Sequence, residues 1–339
     1  MASYLSKKLG VVSFVLMVLV VFLHAHLLGY VSGNMAFVQK VITGEVTRVA
    51  VPLFFTISGF LFFRNYASPA KTFFVTKIKR RFYSLFVPYV LFSVLGFVFT
   101  FCSAFCFQGF VSGVNKHILD SDLSMVLFAI FLNPVGTYQL WFIRDLFILV
   151  LLSPCVYLVV RWFKSVAVIS LFCVWVSGVQ CFVHVESIFF FIAGSYIALC
   201  RKKWASFRCT SLVFSVAILV LWLSNCVVLA SFELASVWFC LNVILGMCAL
   251  WFFYDTTLGK RSSTRILPIL SFSFFLYLTH EPLLTVIKKS LLALCGMSPV
   301  MLLFIYLFAP LATIILCLSV GVFLKRSFPR FYFFLTGGR

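Results

Sequence analysis

The chain reads as an all-α, polytopic membrane bundle of about ten transmembrane helices with both termini cytoplasmic, and three observations predict it. Mean hydropathy is +1.15, and 63% of the 339 residues are hydrophobic while only 10% are charged; a soluble domain carries about a quarter charged residues. The apolar residues come in runs of the roughly 20 residues that a spanning helix needs. The basic residues behind the net charge of +19 fall in short clusters between those runs. A soluble globule of this length has no interior large enough to hide so much apolar surface, so lipid must cover part of it. No polar stretch is long enough to fold by itself, and residues 1–339 are read as a single membrane-embedded domain.

The first run, 9–28, follows Lys7 and Lys8 and so has the look of a secretory signal. Its length suits a span, and it closes on His24-Ala25-His26 rather than on a small-x-small cleavage site, so an uncleaved helix is expected. Runs at 46–63 and 84–106 follow. Residues 123–132 are too short to cross and are expected at the surface or in a re-entrant turn. The remaining runs are 140–160, 166–183, 186–200, 210–231, 234–253, 267–287 and 299–324. The run 186–200 is short and calls for a tilted neighbour or local thinning. No internal repeat is evident, which weighs against a transporter built from duplicated halves.

Basic clusters fix the orientation. They occur at Lys7/Lys8, Lys77/Lys79/Arg80/Arg81, Arg161/Lys164, Arg201/Lys202/Lys203/Arg208, Lys260/Arg261/Arg265 and Lys325/Arg326/Arg330. With ten spans all six fall on one face, the cytoplasmic one, against anionic lipid rather than nucleic acid. The other face receives the loop from Gln108 to Gln139, with Asp120 and Asp122, and turns near Glu186 and Glu233. Lys288 and Lys289 are the exception and are expected to snorkel or to line a polar vestibule. Twelve cysteines lie almost entirely inside apolar runs without a C-x-x-C pair. Cys102 and Cys106 share a helical face, yet they read as small hydrophobes, and neither disulfides nor a metal site is expected.

Ionisable residues inside the apolar runs are costly and therefore candidates for function. His24 lies fourteen residues past Gly10 and His280 fourteen past Ile266, each roughly 21 Å along its helix. Matched depth suggests one cavity; the plain alternative is two unrelated imidazoles satisfied by carbonyls or interfacial water. Arg144 and Asp145 sit one turn into a span that begins at Leu140-Trp141. Neighbours on a helix diverge by about 100°, so they need not pair, and Arg144 wants an anion or a wet pocket. Trp141 reads equally as an interfacial anchor, and Arg48 falls near the outer end of the second span. Lys77, Lys79, Arg80 and Arg81 serve topology or, alternatively, clamp phosphate, which suits the guanidinium fork.

Five stretches in order carry a resemblance. Val20-Val21-Phe22-Leu23-His24 closes the first span, and Pro52-Leu53-Phe54-Phe55-Thr56-Ile57-Ser58-Gly59-Phe60 fills the second. Lys79-Arg80-Arg81-Phe82 precedes Phe86-Val87-Pro88-Tyr89, then comes Leu140-Trp141-Phe142-Ile143-Arg144-Asp145-Leu146. The last is Ser271-Phe272-Ser273-Phe274-Phe275-Leu276-Tyr277-Leu278-Thr279-His280-Glu281-Pro282-Leu283. Together these resemble the acyltransferase 3 family of membrane-bound O-acyltransferases, whose roughly ten-helix architecture agrees with the span count. One departure concerns its R-x-x-R before P-Y: counting back from Pro88, Arg81 fits the first position while Ser84 fills the second, and Lys77 with Arg80 gives the spacing one turn earlier.

The resemblance implies transfer of an acyl group, usually acetyl, from cytoplasmic acyl-CoA (acetyl-CoA) to a hydroxyl of a cell-envelope glycan or lipid-linked sugar in the cell membrane, with no bound cofactor and no metal. On it, His24 is the general base or an acyl-accepting nucleophile, and His280 orients or polarises the reacting groups. Arg80, Arg81 and Lys77 hold donor phosphates; Trp141, Arg144 and Arg48 shape the acceptor side. A flippase for a lipid-linked glycan, using the same polar residues without bond making, is the alternative, and a non-catalytic subunit of an envelope complex is a third.

Overall fold

A computed structural model describes residues 2–27, 33–66, 70–106, 122–201, 208–232, 234–259 and 268–338. Lys202, Lys203, Lys260, Arg261, Arg265, Gln108, Asp120, Glu233 and Ile266, on which parts of the sequence reading rest, lie outside the described residues. All regular structure among the described residues is helical. In chain order the helices are α1 (Ala2–Leu23), α2 (Gly33–Gln39), α3 (Ala50–Phe63), α4 (Ala70–Arg81), α5 (Val87–Cys106), α6 (Leu123–Phe131), α7 (Trp141–Leu151), α8 (Ser153–Phe163), α9 (Ser165–Val176), α10 (Val185–Cys200), α11 (Leu212–Ser231), α12 (Ser236–Thr256), α13 (Ser273–Cys295), α14 (Pro299–Ser327) and α15 (Pro329–Leu335).

Among the described residues seven stretches are long and apolar enough to cross a bilayer: Tyr4–Leu23, Gly33–Phe63, Ala70–Ser103, Leu212–Ser231, Ser236–Thr256, Pro268–Cys295 and Pro299–Ser327. The broken pair Tyr138–Leu151 and Ser153–Phe163 makes an eighth if it is one span. The expected runs 166–183 and 186–200 appear as shorter helices of 12 and 16 residues. This is a multi-pass membrane protein.

The chain forms two compact units, residues 1–75 with 151–273, and residues 76–150 with 274–339. In the first unit α3 and α10 pack through glycines. A Cβ at Gly59 would run into the Phe191 carbonyl, and one at Gly194 into the Thr56 carbonyl. Small residues let membrane helices bring their backbones together, which lipid-facing leucines do not permit. Gly59→Val or Gly194→Val is therefore expected to force the pair apart and to lower the unfolding temperature in detergent, on the about 1–3 kcal/mol scale of overpacking or beyond. Unchanged melting would mean the two helices part easily.

The first span corrects the sequence reading. α1 begins at Ala2, not near Gly10, and ends at Leu23. The polar prefix is helical because Lys8 is buried, its Nζ 2.7 Å from Asp255 Oδ1 with both side chains no more than 2% exposed. Lys8 is thus part of the interior rather than of a cytoplasmic patch. The far end of α1 is fastened by the next segment. Gln39 Oε1 accepts from the Leu27 amide at 2.8 Å, and Thr43 Oγ1 donates to the Phe22 carbonyl at 3.3 Å. Thr43 belongs to a π-helical turn, Lys40–Glu45, that leads through a 3₁₀ turn, Val46–Val49, into α3.

In the second unit α4 passes through another π-helical turn, Phe82–Phe86, into α5. The chain's C-terminal end closes on that turn: a side chain at Gly337, where φ is +63°, would come within 2.7 Å of Ser84 Cα and of the Tyr83 carbonyl. α6 is N-capped by Asp122, which accepts from the Met125 amide at 2.9 Å. Those hydrogen bonds favour the ionised form and hold the Asp122 carboxyl below its usual range. With Leu123 73% and Phe128 54% exposed, α6 offers an apolar surface, as a short helix lying in lipid would. α13 extends eight residues beyond the expected 267–287 run, so Lys288 and Lys289 belong to the helix itself. It is broken at Glu281, whose φ of −108° and ψ of 137° are extended. Pro282, next in line, brings no amide N–H to the helix ladder.

Candidate active site

His280 ends the first segment of α13 and is fully buried. Its Nδ1 lies 2.8 Å from the Tyr277 carbonyl and 3.2 Å from that of Leu276. Carbonyls only accept, so Nδ1 carries the proton and neutral His280 presents Nε2 as its basic nitrogen. Polar groups of the same unit surround the break. Tyr277 Oη donates to the Gln139 carbonyl, and Gln139 Nε2 donates to the Glu281 carbonyl at 3.3 Å. Glu281 is 1% exposed; its Oε1 accepts from Tyr138 Oη at 3.3 Å and its Oε2 from the Thr285 amide at 3.4 Å. The Lys288 charge acts on Glu281 from two turns along. The lysine that looked misplaced thus faces a buried carboxylate. Glu281, next to His280 in its quoted stretch, and Tyr138 and Gln139, just ahead of the stretch that opens at Leu140, were missed as site residues.

Arg144 and Asp145, whose pairing the sequence left open, do pair. Arg144 Nε and Nη2 reach Asp145 Oδ1 at 3.1 and 2.9 Å, because the arginine stem is long enough to fold back along its own turn. Asp145 is fully buried, and Arg144 Nη1 donates to the Leu132 carbonyl at 2.7 Å. Tyr89 Oη donates to the neighbouring Phe131 carbonyl at 2.9 Å. Both cap the C-terminal end of α6, where carbonyls lack helical donors and a cation is favoured. Trp141, half-buried, opens α7.

The basic cluster splits by face. Lys77 and Arg81, four residues apart on α4, are partly buried on one side, while Lys79 and Arg80 are exposed. Arg81 ends α4 at the start of the π turn, an irregularity frequent at functional sites. Ser84, in the second R-x-x-R position, lies on that turn.

In the first unit His24, 9% exposed, is the residue immediately after α1. Counted from Ala2, the 22-residue helix is about 33 Å long, and His24 stands at its end. Arg48 is exposed, and its charge acts on both Glu45 and Glu186. Glu45, whose Oε2 is buried without a hydrogen-bond partner among the described residues, fell just outside the expected second span and was missed. Missed too was the Lys8–Asp255 pair, in which Tyr4 Oη donates to Asp255 Oδ1 at 2.6 Å and the Cys209 amide to Oδ2 at 3.2 Å. Nothing local in the sequence signals a pairing across 247 residues. Among the described residues no group of three or more His, Cys, Asp or Glu is placed to hold a metal ion.

Residues 9–323 match the Acyl_transf_3 family model, described as an acyltransferase domain. The chain is also 26% identical over 326 residues to the succinoglycan biosynthesis protein ExoH of Rhizobium meliloti (strain 1021), covering 88% of this chain and 82% of that one. No solved structure matches.

Proposed function

Because the chain belongs to the Acyl_transf_3 family of acyltransferases, we propose that it transfers an acyl group, acetyl, from cytoplasmic acetyl-CoA to a hydroxyl of a cell-envelope glycan or lipid-linked sugar. The enzyme class and the membrane setting are the premises; donor, acyl group and acceptor are the proposal. That ExoH is named for succinoglycan biosynthesis supports a glycan acceptor. On this reading the chain crosses the membrane ten times, with both termini and the basic clusters cytoplasmic.

The observation that carries the mechanism is the fixed tautomer of His280. A nitrogen with a lone pair accepts a hydrogen bond from a sugar hydroxyl and orients it; it cannot donate to a carbonyl. On this reading His280 orients the acceptor hydroxyl. His24 takes the proton of the reacting hydroxyl as that oxygen attacks the thioester carbon. The carbon–sulfur bond breaks, and the imidazolium returns the proton to the departing thiolate, giving ester and free thiol. Trp141 offers a ring to the sugar, Arg144 positions α6 beside it, and Arg48 balances the carboxylates of the first unit.

Lys77 and Arg81, sharing the sheltered face of α4, are the better phosphate clamp, with Arg80 outside it. Arg81→Ala is expected to raise the donor KM about tenfold or more, the loss of one charge-assisted hydrogen bond, with kcat nearly unchanged. Arg80→Ala should alter neither constant. An unaltered donor KM in Arg81→Ala would remove the clamp. The function itself is tested by incubating purified protein with radiolabelled acetyl-CoA and candidate glycans. Label moving to glycan supports the enzyme, whereas unmodified glycan crossing vesicles would support the flippase.

A further inference from the structure

At the Lys8 end of the first unit, α1, α3, α10 and α12 leave an apolar slot. Its volume is about 190 Å³, and Leu5, Leu9, Ile57, Phe60, Cys248 and Trp251 are among the side chains lining it. That is below the roughly 300–1,000 Å³ of pockets for whole small ligands, room for part of a single chain. The hydroxyl on its wall, Thr56 Oγ1, is bonded back to the Pro52 carbonyl at 3.0 Å. The walls therefore offer carbon and sulfur, and the matching occupant is a hydrocarbon chain.

The charge beside the slot decides what that chain is attached to. Trp251, part of the wall, carries the Lys8 ammonium 3.8 Å from its ring centroid. That ammonium is already matched by Asp255. Tyr4, the residue before Leu5, has the Arg208 guanidinium 3.5 Å over its ring. Arg208 is exposed, and no protein group among the described residues accepts a hydrogen bond from it or forms an ion pair with it. A guanidinium stacked flat on an aromatic ring keeps its N–H edge turned outward, the geometry that binds a phosphate through two oxygens.

We propose that this slot binds one acyl chain of an anionic glycerophospholipid, with the lipid phosphate on Arg208. The donor clamp on α4 belongs to the other unit, and the lipid site stands whether or not the acyl-transfer reading does, since its readout is bound lipid.

The test is native mass spectrometry of the purified full chain at physiological salt. It is offered phosphatidylglycerol or phosphatidylcholine with identical palmitoyl and oleoyl chains. The wild-type protein is expected to retain one phosphatidylglycerol and to lose phosphatidylcholine. Arg208→Ala should weaken phosphatidylglycerol retention about fivefold, the scale of one basic side chain at a membrane surface. Cys248→Phe, which fills the slot, should abolish retention, while Cys248→Ser should not. Ile57→Phe fills the slot from the opposite wall and takes over the test if Cys248→Phe fails to fold by its unfolding temperature. Equal retention of the two lipids overturns the proposal, and so does undiminished retention in a folded slot-filling variant. Displacement of the lipid by an equimolar long-chain acyl-CoA also overturns it, since the slot would then belong to a donor.

Discussion

Replacing His24 with alanine is expected to lower acyl transfer by about 10²–10⁴-fold, the contribution of a positioned general base, while the protein still folds. A sugar hydroxyl attacks a thioester only as its proton leaves, and no other imidazole in the first unit stands at the end of α1 with so little exposure. The fold should tolerate the change because Gln39 and Thr43 fasten that end of the helix. His24→Gln keeps the size and polarity but not the basicity, so it should be nearly as inactive. Added imidazole should restore part of the turnover in His24→Ala. For comparison, His280→Ala should raise the acceptor KM as well as lower kcat, because an orienting group holds the acceptor in place. Steady-state assays with labelled donor read all of these. Full turnover in a folded His24→Ala protein would take His24 out of the mechanism.

The second large effect is on stability. Lys8→Ala or Asp255→Ala alone should cost about 3–5 kcal/mol, because each strands a buried charge. The aspartate variant also removes the acceptor of Tyr4 and of the Cys209 amide. The double variant Lys8→Met with Asp255→Leu should be more stable than either single one, since two apolar side chains leave no orphaned charge. Thermal unfolding of the purified proteins in detergent measures the set. A double variant as unstable as the two single losses added together would show that the pair contributes nothing jointly.

The helical runs were legible because lipid imposes a length and a polarity that single sequences display directly. Their ends were not. α1 starts at Ala2 because Lys8 finds a carboxylate 247 residues away, and a hydropathy window treats such a lysine as a boundary. α13 runs on through Lys288 and Lys289, with Lys288 in electrostatic reach of Glu281 two turns back. The pairing of Arg144 with Asp145 was left open by the sequence, because divergence of neighbours on a helix concerns Cβ directions and an arginine is long enough to fold back. His24 and His280 were visible as residues whose presence in apolar runs needs a reason. The tautomer of His280 was not, since it depends on backbone carbonyls that a sequence does not orient. The split of the basic cluster was half legible: four-residue spacing puts Lys77 and Arg81 on one side, but only packing tells which side is sheltered.

His280 is held through Nδ1 to the carbonyls of Tyr277 and Leu276, on the near side of the break at Glu281. Its aim is therefore set by the short segment from Ser273, as a pointer fixed to one arm of an elbow. Motion of the arm that begins at Pro282 carries Lys288 and leaves those two carbonyls on the other arm. Substitutions that loosen that distal arm should change how a substrate enters and leaves, yet keep the angle at which the ring addresses it.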